Sequence, residues 1–144
     1  PVRVVVDCGN GTGSVVAVEL LRAMGPSVEI IPLFCESDGT FPNHHPDPVV
    51  DENLVHLQRV VLDEGADLGI AFDGDADRIG AVDETGEIVR GDTLTLLFGL
   101  ELIERKGPGQ KIVFDVKCSQ ALTEVLNKVG GVPIMSATGH SLIK

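Results

Sequence analysis

The sequence has no apolar run that approaches the ~20 residues a membrane-spanning helix requires. It also lacks a basic-then-apolar signal segment, because Pro1-Val2-Arg3 leads directly into a strand pattern. Only three cysteines are present, and Cys8, Cys35 and Cys118 form no CxxC pair and cannot all be joined in disulfides. These absences predict a reduced, cytoplasmic protein without a membrane-bound segment.

Basic residues are scarce, since 11 Lys and Arg stand against 22 Asp and Glu and the formal net charge is −11. A surface with this charge repels nucleic acid and anionic membranes, so neither is expected as a partner. An anionic substrate would also be repelled unless a bound cation or a locally basic cleft intervened. The composition therefore gives a first indication that a metal ion matters.

Strand-like and helix-like segments alternate along the chain. Apolar, often valine-rich runs predict strands over residues 2–7, 28–33, 68–72, 79–82, 112–115 and 132–135. Apolar residues at helical spacing predict helices over 16–24, where Val16, Leu20 and Met24 recur beside Ala17 and Leu21, over 51–64, after Asp92, and over 121–129. The alternation predicts an α/β fold, a three-layer α/β/α sandwich with a mixed, largely parallel sheet.

The best candidate for a domain boundary is Gly107-Pro108-Gly109. It predicts a first domain over 1–106, followed by a truncated α/β unit over 107–144. A lone strand-helix-strand has little core of its own. We therefore expect this unit to need neighbours, either from further residues of its domain or by self-association with a second copy.

The most informative segment is Phe72-Asp73-Gly74-Asp75-Ala76-Asp77-Arg78. Three carboxylates alternate directly after an apolar strand, and ligands of α/β sheets bind at the carboxyl ends of strands. Hard oxygen ligands suit Mg²⁺ or Ca²⁺, and without a cation the carboxylates would repel one another. Asp73, Asp75 and Asp77 are therefore the candidate metal ligands, and a solvated acidic turn is the alternative.

The same spacing also occurs in EF-hand loops, where oxygen ligands stand at positions 1, 3, 5 and 12. Glu84 would fall at position 12, but position 6 is Arg78, where the turn of an EF-hand needs glycine. The flanking segments are predicted strands rather than helices. An EF-hand is therefore rejected.

Arg78 stands beside the predicted metal ligands. An open metal site next to an arginine suits a phosphoryl group, because the metal polarises its oxygens and the guanidinium pairs with its charge. A plain salt bridge from Arg78 to one of the aspartates is the alternative.

Two other segments have a possible chemical role. Gly9, Gly11 and Gly13 after a strand suggest a dinucleotide turn, but the spacing is GxGxG, so a tight strand-to-helix turn is favoured. His44 and His45, with Asp47, suggest a metal or acid/base cluster. They lie among prolines, and hydrogen bonds that hold this loop in shape are the favoured interpretation.

At the aspartate loop the sequence resembles the α-D-phosphohexomutases, and within them the bacterial phosphomannomutase/phosphoglucomutase branch. Five segments carry the resemblance in the right order and cover nearly the whole chain. They are Asp7-Cys8-Gly9-Asn10-Gly11, the residues Gly39 to Pro48 (GTFPNHHPDP), the aspartate loop, Asp115-Val116-Lys117-Cys118-Ser119, and Thr138 to Lys144 (TGHSLIK). The first three resemble the second domain of that family, and the last two the start of its third.

The resemblance implies an enzyme that interconverts hexose 1-phosphates and 6-phosphates through a phosphoserine and a bisphosphate intermediate. It implies that Asp73, Asp75 and Asp77 bind Mg²⁺ and that Arg78 faces the active site. Lys117 and His140 would contact the phosphosugar.

The sequence departs from the family in several respects. No serine lies in the Thr-Ala-Ser-His-Asn-Pro context of the nucleophile, and neither the Gly-Glu-Met-Ser-Gly-His sugar loop nor a fourth domain is present. Ala137 stands where a lysine is expected. We therefore expect part of a phosphohexomutase that is inactive alone, with a stand-alone cation- or phosphate-binding module as the alternative.

Overall fold

The structure, a computed structural model, describes residues 1–139 of the 144. The chain divides into two compact units, one over Pro1–Val89 and one that begins at Arg90. Among the described residues, no helix has both the length and the apolar character needed to cross a membrane.

The first unit is a sheet of five strands with helices between them. Its elements are β1 (Val2–Asp7), α1 (Ala17–Arg22), β2 (Val28–Leu33), α2 (Val55–Glu64), β3 (Leu68–Phe72), β4 (Ile79–Asp83) and β5 (Ile88–Val89). The strand order is β2-β1-β3-β4-β5. The strands β2, β1 and β3 are parallel, whereas β4 and β5 run antiparallel to their neighbours, which confirms the mixed sheet.

Two cores lie on opposite faces of this sheet. Because successive residues of a strand point to opposite faces, Val5 contributes to one core and Val4 and Val6 to the other. The first core includes Leu57 and Val61 from α2, and the second includes Ala17 from α1. Helices therefore cover both faces, as predicted for a three-layer sandwich.

The carboxyl ends of the three parallel strands meet at one edge of the sheet. Asp7, the last residue of β1, is in register with Leu33 of β2 and with Ala71 of β3. The turn after Asp7, the loop after Leu33 and the aspartate loop after Phe72 therefore leave the sheet side by side. This convergence positions the candidate site.

Helix α1 buries only part of the apolar face that the sequence predicts. Leu20 and Met24 are each 68% exposed, whereas Ala17 is buried and Leu21 packs against the same core. The chain first forms a 3-10 turn over Thr12–Val15, and the small Ala17 then packs in the core that contains Val4 and Val6 of β1.

The second unit contains α3 (Gly91–Lys106), β6 (Lys111–Asp115), α4 (Gln120–Lys128) and β7 (Val132–Ser136). The strands β6 and β7 form a parallel pair. The core of this second unit is formed by Ile103 of α3 together with Ile112, Phe114, Leu122 and Leu126.

The predicted boundary at Gly107-Pro108-Gly109 is wrong, because the division lies between Val89 and Arg90. The turn at Gly107 connects α3 to β6 inside the second unit. Helix α3 belongs to this unit because it supplies Ile103 to the core, and the unit is therefore larger than the strand-helix-strand expected from the sequence.

Candidate metal centre

The aspartate loop, Asp73 to Arg78, is the connection of an antiparallel hairpin. Phe72 of β3 pairs with Ile79 of β4 and closes the loop at its base. Inside the loop, Ala76 has a left-handed backbone (φ 60°) and donates its N–H to the carbonyl of Asp73 at 3.1 Å. This tight turn directs the alternating side chains toward one point.

One carboxylate oxygen from each of Asp73, Asp75 and Asp77 lies within 4.8 Å of the other two. A divalent cation binds oxygens at about 2.0–2.6 Å, so oxygens on one ion are at most about 5 Å apart. The three side chains are therefore close enough together that they could hold a single divalent cation. Asp73 is buried, whereas Asp75 and Asp77 are exposed and accessible to an ion from solvent.

The buried carboxylate of Asp73 is held by Arg78. The backbone N–H of Arg78 donates to Oδ1 at 2.9 Å and its Nε donates to Oδ2 at 2.7 Å. Burial alone raises the pKa of Asp73, but the hydrogen bonds and charge of Arg78 outweigh it, so this pKa lies below its usual value. Asp73 is therefore held as an ionised carboxylate.

Arg78 also contacts two further acidic residues. Its Nη1 donates to Oδ1 of Asp47 at 3.1 Å, and its Nε lies 3.7 Å from Asp77. The salt bridge considered as an alternative for Arg78 is thus observed. The side chain nevertheless stays 52% exposed, so the guanidinium keeps a solvent-facing edge that can meet an anion.

The glycine-rich turn after β1 supports the aspartate loop. The N–H and hydroxyl of Thr12 donate to the carbonyl of Gly74 at 2.9 and 3.2 Å. A Cβ atom at Gly11 would lie 2.7 Å from the same carbonyl oxygen, so only glycine permits this approach. This role was missed by the sequence interpretation, which treated the glycines as a local turn.

The proline-rich loop after β2 supports the site from another side. The carbonyl of Pro46 accepts the N–H of Gly74 at 3.1 Å, and the neighbouring Asp47 holds Arg78. This loop is tied in turn to β1, because Nε2 of His44 lies 2.9 Å from Oδ2 of the buried Asp7.

His44 holds this loop in shape through contacts of both its ring nitrogens. Its Nδ1 lies 3.0 Å from the carbonyl of His45 and its Nε2 faces Asp7, so both nitrogens face acceptors and both are best protonated. The hydrogen bond to Asp7 raises the pKa of His44, although burial opposes the shift. The predicted loop-shaping role of His44 is therefore confirmed.

Lys117, one of the two predicted substrate-binding residues, lies in the second unit. Lys117 is exposed, and its backbone N–H donates to Oδ1 of Asp115 at 2.9 Å. It lines a cavity of about 530 Å³ at the start of α3, together with Arg90, Asp92 and Thr95. The positively charged side chains of Arg90 and Lys117 therefore both border this cavity. His140 lies outside the described residues.

Comparison with known proteins gives consistent matches over the whole chain. Residues 1–86 match the family model described as phosphoglucomutase/phosphomannomutase, alpha/beta/alpha domain II, and residues 90–144 match the one described as domain III. The change from one to the other coincides with the division between the two units at Val89 and Arg90.

Curated relatives and solved structures agree with these matches. A phosphomannomutase/phosphoglucomutase from Pseudomonas putida is 55% identical over 142 residues, which are 99% of this chain and 30% of that protein. A phosphoglucomutase from Neisseria gonorrhoeae is 44% identical over 144 residues, 100% of this chain and 31% of that protein. The crystal structure of a phosphoglucomutase/phosphomannomutase family protein from Burkholderia thailandensis superposes with a TM-score of 0.93 at 43% identity, covering 99% of this chain and 31% of that one.

A more distant neighbour shows how widely the fold is shared. An N-acetylglucosamine-phosphate mutase of the alpha-D-phosphohexomutase superfamily aligns with a TM-score of 0.75 at 19% identity, over 99% of this chain and 34% of that one. The chain spans about 30% of the length of its curated relatives. It belongs to the phosphoglucomutase/phosphomannomutase family and comprises the second α/β/α domain of that family followed by residues of the third.

Proposed function

We propose that this chain supplies the Mg²⁺ site and part of the phosphosugar site of a phosphohexomutase, which interconverts hexose 1-phosphate and hexose 6-phosphate. The observation that carries the proposal is the convergence of three aspartates beside an arginine at the carboxyl end of β3. The names of the relatives, phosphomannomutase and phosphoglucomutase, supply the reaction and the substrate class.

Asp73, Asp75 and Asp77 would hold the cation, and three hard carboxylate oxygens suit Mg²⁺. Bound there, Mg²⁺ would polarise the phosphoryl oxygens and neutralise part of their charge. Side chains of the chain itself would orient the phosphoryl group and pair with its charge. Asp73 and Asp47 orient the guanidinium of Arg78, and its exposed edge pairs with the oxygens of the phosphoryl group.

Lys117 would bind the phosphate or hydroxyl groups of the sugar, supported by its position beside Arg90 at the cavity near the start of α3. His140 is proposed for the same role on the basis of its Thr-Gly-His segment. The phosphoserine that donates the phosphoryl group has no counterpart among the serines of these 144 residues. The chain alone should therefore show no turnover with glucose 1-phosphate and glucose 1,6-bisphosphate.

A chimera tests the proposal directly. The chain is 54% identical over 144 residues to a phosphomannomutase/phosphoglucomutase from Pseudomonas aeruginosa, of which it covers 30%. The matched segment of that enzyme is replaced by this chain, and mutase activity is measured with mannose and glucose 1-phosphates. We expect the chimera to turn over substrate in the presence of Mg²⁺.

Three single substitutions in the chimera separate the assigned roles. Asp75→Asn should lower kcat by roughly 100-fold or more, because charge stabilisation in the transition state is lost. Lys117→Met should mainly raise KM. Glu124→Gln removes the same charge as Asp75→Asn at an exposed position of α4 and serves as the matched control. A folded but inactive chimera, or an Asp75→Asn variant with normal kcat, would show that the loop does not have this role.

A further inference from the structure

Two cysteines meet where β1 and β2 end. Cys8 directly follows β1 and Cys35 lies two residues beyond the end of β2, and the two strands are in parallel register up to Asp7 and Leu33. Their Sγ atoms are 3.1 Å apart. The register of two neighbouring strands therefore brings together thiols that are 27 positions apart in the sequence.

The two thiols differ in accessibility. Cys8 is completely buried, whereas Cys35 is partly exposed and lines a cavity of about 580 Å³ with Asn10, Glu36 and Asn43. A small reagent in this cavity reaches Cys35 first, and Cys8 lies directly behind it.

They also differ in acidity. The hydrogen bond between the two sulfurs lowers the pKa of Cys35 to about 7, although burial opposes the shift. The same hydrogen bond, together with burial, raises the pKa of Cys8. The accessible sulfur is thus the more acidic of the two, and it lies 3.3 Å from the carbonyl oxygens of Val6 and Leu33. This order suits an attacking and a resolving thiol.

We propose that Cys35 and Cys8 are an oxidation site that reacts with hydrogen peroxide and closes into a reversible disulfide. The Cys35 thiolate attacks one peroxide oxygen, the O–O bond breaks, and a sulfenic acid forms while hydroxide leaves and takes up a proton. The Cys8 sulfur then attacks the sulfenic sulfur, the S–O bond breaks, and the Cys8 proton leaves with the hydroxide as water. In total two thiols and one peroxide give one disulfide and two waters.

The geometry requires little movement for this reaction. A disulfide bond is about 2.05 Å long, so the sulfurs approach by about 1 Å. Cys35 lies in the loop beyond β2, whereas the backbone N–H of Cys8 still donates to the carbonyl of Leu33 at 3.1 Å. The bond would join the turn that supports the aspartate loop to the loop that carries His44, so oxidation would stiffen the support of the metal centre. The inference does not depend on the proposed enzymatic reaction.

The test uses the whole chain and its third cysteine as an internal control. The reduced protein is treated with hydrogen peroxide, the excess is removed, and free thiols are alkylated under denaturing conditions before intact-mass measurement. Reduced chains should carry three alkyl groups and oxidised chains one, on Cys118, with the loss of two hydrogen atoms. A non-reducing peptide map should show the Cys8 and Cys35 peptides joined, and dithiothreitol should separate them.

Alkylation rates and cysteine substitutions provide further tests of the proposal. In the native protein near pH 7, Cys35 should be alkylated at least about tenfold faster than Cys118, because burial raises the pKa of Cys118. Cys118→Ser should leave disulfide formation unchanged, and Cys35→Ser should abolish it. Three free thiols after oxidation, a sulfinic acid at Cys35 with Cys8 still reduced, or disulfides between chains would each overturn the proposal. The peptide map uses the unaltered chain, so it decides the question even if a variant does not fold.

Discussion

Arg78 donates hydrogen bonds to both carboxylate oxygens of Asp73, one from its backbone N–H at 2.9 Å and the other from Nε at 2.7 Å. The arginine thereby compensates a buried negative charge at the centre of an acidic loop. Such pairing offsets part of the free-energy cost of burying the charge of Asp73. It also connects one of the candidate metal ligands directly to the arginine beside the loop.

The first prediction concerns cation binding by the chain itself. Asp75→Asn should weaken Mg²⁺ binding by at least about tenfold, because loss of a direct ligand costs no less than loss of an outer-shell partner. Asp75 is exposed, so the substitution leaves the buried Asp73–Arg78 contact in place. Isothermal titration calorimetry measures the affinity, with Glu124→Gln as the charge-matched control. Equal Mg²⁺ affinities for Asp75→Asn and the unaltered chain would rule out this ligand assignment.

The second prediction concerns the contact between the glycine turn and the aspartate loop. Gly11→Ala should lower the free energy of unfolding by about 1–3 kcal/mol, because the new Cβ would overlap the carbonyl of Gly74. It should also weaken Mg²⁺ binding by displacing the loop. Gly39→Ala is the control, since no atom lies within 4 Å of a Cβ at that position. Urea unfolding measures both variants, and similar stabilities would contradict the proposed close packing.

The third prediction is that the stabilising contact between His44 and Asp7 depends on pH. Asp7 raises the pKa of His44 in the folded state, so the contribution of the charged imidazole to stability is fully present below its ordinary pKa of 6.5. That contribution is lost as the pH rises through the higher folded-state value. The stability difference between the unaltered chain and His44→Gln should therefore shrink with rising pH.

Urea unfolding at a series of pH values from about 6 to about 9 measures this difference. In an Asp7→Asn background the pH dependence should largely disappear, because the partner charge is gone. A difference that is constant, or that grows with pH, would mean that His44 is not held as a cation.

The fourth prediction concerns the place of α3 in the second unit. Ile103→Ala should destabilise this unit by about 2–5 kcal/mol, because it leaves a cavity against Ile112 and Leu126. Leu97→Ala on the same helix should cost less than about 1 kcal/mol, since Leu97 is 52% exposed. Hydrogen exchange should become faster in β6 and α4 for Ile103→Ala alone. Faster exchange confined to β1–β5 would instead place α3 with the first unit.

The sequence was sufficient to predict the features that depend on local pattern. The run ending at Phe72 and the alternation of Asp73, Asp75 and Asp77 have few possible arrangements, because a strand end followed by a tight turn directs such side chains together. Contacts between distant loops carry no such pattern. Asp47 reaches Arg78 across 31 positions, and nothing in either segment specifies the pairing.

The boundary shows a different difficulty. Gly107-Pro108-Gly109 is a strong turn signal, but a turn within a domain and a link between domains have the same composition. The side chain that distinguishes them is Ile103, whose burial against Ile112 depends on tertiary packing. Likewise, the spacing of the apolar residues in α1 does not show which of them are buried. That depends on how Ala17 packs against the sheet.

The pairing of Phe72 with Ile79 has a consequence for protein engineering. Because an ordinary antiparallel pair closes the loop, the residues from Asp73 to Arg78 form a cassette that could be transplanted between the strands of an unrelated hairpin. The transplant would carry the carboxylates and the Asp73–Arg78 contact, both of which are internal to it. It would leave behind Thr12 and Pro46, which hold Gly74 from outside. A host would therefore need a carbonyl acceptor and an N–H donor facing Gly74 before the transplanted loop could keep the arrangement of carboxylates that it has here.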